Sequence, residues 1–87
     1  MEKIILGLQQ ISHLAEGASD GLKMSQAIEA TRLAIQKIGS NGNSILQELD
    51  KELGIWRSKY EVILKEPVGR QGMARHAEHW VEKLKNV

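Results

Sequence analysis

Cysteine is absent from the 87 residues, which removes disulfide staples, thiol catalysis and thiolate metal sites together. Phenylalanine is absent too, and two Trp and one Tyr complete the aromatic inventory, so a core must be built from Ile, Leu and Ala around a few anchors. Pro67 is the single proline, which leaves most of the chain free of the residue that breaks helices. No apolar run approaches the roughly 20 residues of a membrane span. The start Met1-Glu2-Lys3-Ile4-Ile5-Leu6 is interrupted by Gln9, Gln10 and His13 before a signal-peptide core is complete. The expected location is therefore cytoplasmic, with no membrane partner. Charge of one sign is also lacking: 12 Lys and Arg against 11 Asp and Glu give a net +1. Without a global field to draw nucleic acid or anionic lipid, any electrostatic function has to come from local patches.

What is present is helical periodicity. An apolar fraction of 41% with 26% charged residues suits an ordered chain, and the length suits one domain over residues 1–87. From about Glu2 to Glu16, the positions Ile4, Leu8, Ile11 and Ala15 recur at steps of four and three on one helical face, widened by Ile5 and Leu14. Gly17, Ser19, Asp20 and Gly21 then mark a break. A second segment, starting between Leu22 and Ser25, repeats the spacing through Met24, Ile28, Thr31, Ile35 and Ile38, with Ala27, Ala30 and Ala34 beside the stripe. Small side chains there permit a close helix neighbour. Gly39-Ser40-Asn41-Gly42-Asn43 ends it with residues suited to turns and left-handed backbone.

The third segment is the longest. Ser44-Ile45-Leu46-Gln47 has the form of a capping box. Leu46, Leu49, Leu53, Trp56, Tyr60 and Ile63 follow at alternating steps of three and four, a coiled-coil-like seam. Pro67 restricts Glu66, which predicts an end near Lys65 or Glu66. The fourth segment is expected after Gly69 and Gly72, with Met73, Ala77, Trp80, Leu84 and Val87 as its apolar stripe. The fold class is thus all-α: a small up-and-down bundle of three to four helices with a long third helix. The link from Pro67 to Gly72 leaves open whether the last helix packs in cis or swaps onto a second copy.

Function is written less plainly. Ile55 and Val62 project opposite the third seam and share a face, while Leu6 and Leu33 lie off the stripes of the first two helices. Scattered surface aliphatics are ordinary, yet four in so short a chain, together with a thin aliphatic core, favour an interface. The leading expectation is a noncatalytic protein-interaction module, a small helical adaptor, regulator or assembly subunit that uses these residues and forms a homodimer or other homo-oligomer. The alternative is nucleic-acid binding through Arg70, Arg75, His76, His79 and Lys83, which project from the fourth helix or just before it. Glu78 and Glu82 beside them fit a solvated, salt-bridged face better. His76 and His79 stand one turn apart, but without cysteine, and with only His13 besides, they make a weak metal pair. No cofactor is expected. The Gly39 to Gly42 turn lacks the Walker spacing and its lysine, and no catalytic arrangement of residues is evident, so the chain reads as non-enzymatic.

Overall fold

The computed structural model describes residues 1–17, 21–39 and 42–86. Among them are four helices and no strand: α1 (Glu2–Glu16), α2 (Gly21–Ile38), α3 (Ser44–Ile63) and α4 (Pro67–Lys85). Each helix touches its neighbours in a ring: α1 packs on α2 and α4, and α3 packs on α2 and, sparingly, on α4. Among the described residues the backbones of the diagonal pairs do not come close, as expected of an up-and-down bundle joined by short links. Principal extents of 36 × 22 × 17 Å fit two layers of rods roughly 10 Å apart.

The core follows the sequence stripes. Ile4, Leu8, Ile11 and Ala15 of α1, Met24, Ile28 and Ile35 of α2, Leu46, Leu49 and Leu53 of α3, and Met73, Ala77 and Leu84 of α4 are buried. Each fully enclosed Ile or Leu contributes about 1.5–3 kcal/mol. Trp56 and Trp80, at 6% and 7% exposure, are the aromatic anchors. The stripes fray at their ends: Ile38 is 52% exposed, while Tyr60 and Ile63 are half-buried against the core. Val87, Ser19 and Asp20 lie outside the described residues.

Among the described residues two buried polar side chains sit within this apolar interior, and both are satisfied. Thr31 Oγ1 donates to the Ala27 carbonyl at 2.8 Å, and Ser12 Oγ donates to Glu78 Oε1 at 3.2 Å. Among the described residues no buried side-chain nitrogen or oxygen lacks a partner, so the core carries no desolvation penalty from orphaned groups.

Besides α2, which begins at Gly21 rather than between Leu22 and Ser25, three boundary expectations are corrected. The N-cap of α3 is Asn43, not Ser44: its side chain accepts from the Leu46 amide at 3.1 Å. Asparagine is as good a cap as serine, and its extended backbone (φ −117°, ψ 96°) has the geometry a cap requires. Second, α3 ends at Ile63, with Leu64 as its C-cap. Third, α4 begins at Pro67 and contains both Gly69 and Gly72. Proline at the first helical position has no amide to leave unpaired and a φ already suited to the helix. Its start leaves only Leu64 to Glu66 as the link. Gly69 makes that tight corner feasible, because a Cβ there would collide with the Ile63 carbonyl oxygen.

Helix contact on the other side of the bundle also depends on a missing side chain. A Cβ on Gly7 would run into Thr31 Oγ1, so the bare backbone of α1 is what lets α2 approach. Of the alanines expected to serve this role, Ala27 is buried and Ala34 half-buried, while Ala30 faces outward. The α2–α3 edge is joined by polar pairs: Arg32 Nε to Asp50 Oδ1 at 3.1 Å, and Arg57 Nε to Glu29 Oε1 at 3.0 Å. The hydrogen bond to Asp50 is the main cause that raises the Arg32 pKa above its ordinary value, against an opposing effect of burial.

Candidate interaction surface

The helix with the least coverage is α3. It packs broadly on α2 and only sparingly on α4, whereas α1 is flanked closely on both sides. Its outer face therefore stays open, and in the middle of that face stand Ile55, 51% exposed, and Val62, 68% exposed. They are seven residues apart, two helical turns, and so lie nearly in line along the rod. A shallow crevice of about 260 Å³ opens beside Ile55, lined by Glu48, Lys51, Glu52, Ile55 and Trp80. Around the two aliphatics, Glu48, Lys51, Ser58 and Lys59 are all exposed. The result is a narrow apolar strip within a charged frame, the layout of a small interface centre and its rim.

Leu6 and Leu33 are exposed as well, at 61% and 52%, on the outer faces of α1 and α2. Sequence spacing misses Leu22 at 68% and Val68 at 80%, besides Ile38, which it places on the buried stripe of α2. Leu22 belongs to the first turn of α2, whose starting residue the periodicity does not fix, and Val68 falls in the segment that the sequence reads as a link. A Cβ on Gly21 would come within 3.0 Å of the Tyr60 ring, so the first turn of α2 lies beside the last turn of α3. The short corner into α4 then brings Leu22, Val62 and Val68 to the same end of the bundle.

The five basic residues of the nucleic-acid alternative are not gathered into one patch. Arg70 turns back and donates from Nη1 to the Leu64 carbonyl at 2.9 Å. His76 Nδ1 lies 3.2 Å from Glu52 Oε1 on α3, and Lys83 Nζ sits 4.8 Å from the centroid of the Trp80 ring. Arg75 and His79 instead border an open groove of about 600 Å³ between α1 and α4, shared with His13, Glu16, Glu78 and Glu82. A phosphate chain following this side of α4 would meet carboxylates as often as cations. His76 and His79 therefore face different neighbours. Among the described residues no cluster of three or more His, Asp, Glu or Cys side chains has the geometry to hold a metal ion.

No helix among the described residues is long and apolar enough to cross a membrane. No protein-family model, no curated protein and no solved structure matches the chain.

Proposed function

We propose that this chain is a noncatalytic protein-interaction module, an adaptor, regulator or assembly subunit that works by burying the outer face of α3 against a protein partner. One observation carries the reading: Ile55 and Val62 remain half or more exposed, in line, on the least enclosed helix. Burying one such side chain contributes about 1.5–3 kcal/mol, and a helix face docked on another surface is a common mode of recognition. Leu6 and Leu33 are secondary contacts. The reading includes self-association as one form of the partnership.

The test compares wild-type chain with Val62→Glu, both immobilised and exposed to extract from the native source, with circular dichroism confirming equal helicity. Partners, or further copies of the chain, retained by the wild type and lost from the variant support the reading. Equal capture by both, or no capture by either, overturns it.

A further inference from the structure

Building on that reading, we infer that the partner of the α3 face is a second copy of this chain. The copy docks in parallel about a two-fold axis running along the two α3 helices, so that Ile55 meets Ile55 and Val62 meets Val62 of the second copy. Charge placement points to this arrangement. Asp50 and Arg57 bond to α2, and Glu52 reaches His76 on α4, which fixes the two edges of the open face. At about 100° per residue, Lys51 and Ser58 lie on the α2 side of the Ile55–Val62 line, and Glu48, Glu52 and Lys59 on the α4 side. None of the Glu48, Lys51, Lys59 and Lys65 side chains has a hydrogen bond or ion pair with another described residue. Their charges are thus uncommitted within the chain.

A two-fold axis parallel to the helices sets the α2 side of one copy against the α4 side of the other. Lys51 then faces Glu48 and Glu52 of the second copy, twice by symmetry, and Lys59 faces the uncharged Ser58. The antiparallel alternative sets like sides together. In the register that stacks Ile55 on Val62, it brings Lys59 within about one residue of Lys59 of the second copy, and like charges at that separation oppose docking. The parallel form therefore satisfies both the apolar line and its frame. One helix face per copy is at the small end of interface sizes, so the association is expected to be weak.

The cysteine-free sequence makes the geometry directly testable on the full chain. Sedimentation equilibrium from about 10 µM to about 1 mM should show a monomer–dimer equilibrium that Val62→Glu abolishes. Lys51→Glu should weaken it about tenfold, and Glu48→Lys added to that variant should recover association. Under mild oxidation Ile55→Cys should form linked dimers at least about tenfold faster than Ser58→Cys, because antiparallel docking would separate the two introduced thiols at position 55 by about 10 Å along the axis. A chain monomeric at every concentration, or faster linkage through Ser58→Cys, overturns the inference. If the monomeric chain still captures a different protein in a Val62-dependent way, only this inference fails. If it captures nothing, the broader reading fails with it.

Discussion

Gly7 and Gly69 show how much of the packing rests on single residues without side chains. Gly7→Ala places a methyl group against the Thr31 hydroxyl oxygen, and the two helices have to separate or Thr31 has to leave its bond to the Ala27 carbonyl. Overpacking of this kind costs about 1–3 kcal/mol. The expected outcome is a lower thermal midpoint for Gly7→Ala and partial recovery in the double variant with Thr31→Ala, read as a coupling in a double-mutant cycle by thermal denaturation. Neither glycine announces itself in sequence. Gly7 sits inside a well-formed apolar period, and Gly69 reads equally well as part of a loop, because the signal that distinguishes them is the position of a neighbouring chain. Thr31, by contrast, is legible as a stripe position, and its hydroxyl is absorbed by its own helix. The Arg32–Asp50 pair is half-exposed, each side chain at 32%, so Asp50→Asn is expected to cost only about 0.5–1 kcal/mol by urea denaturation.

For the helices, the apolar stripes locate the elements and the caps correct their ends. Periods of three and four place the buried faces of α1 to α4 because water exclusion acts along the whole rod. A helix start depends on which of several polar residues reaches back to an amide, and Asn43 and Ser44 are both competent. Asn43→Ala is expected to destabilise the chain by about 1 kcal/mol, and Ser44→Ala, whose side chain is not the cap, by less than about half of that. Chemical denaturation of the two variants separates them. Pro67 likewise has two readings, terminator of α3 or first residue of α4. Both hold at once, since the chain stops one helix and starts the next within the span Leu64 to Glu66. The exposed line of Ile55 and Val62 is readable from phase alone. The openness of the α3–α4 edge is not, because one helix's period is silent on how tightly its neighbour lies.

The whole molecule carries nearly balanced charge, and the five candidate basic residues of α4 are dispersed among acids, a carbonyl and an aromatic ring. Fluorescence anisotropy with duplex DNA and with single-stranded RNA at low salt is therefore expected to show no salt-dependent binding. A steep fall of affinity with added salt would restore the nucleic-acid alternative. Self-association through α3 is instead expected to weaken modestly with salt, since its frame is ionic and its centre is not.

The broadest contact in the bundle joins its first and last helices, with Ser12 bonded to Glu78 sixty-six positions away. A nascent chain thus carries one flank of α1 bare until α4 has been made. Removing α4 strips the partner from the best-covered rod, leaving a chain vulnerable to chaperone capture and proteolysis.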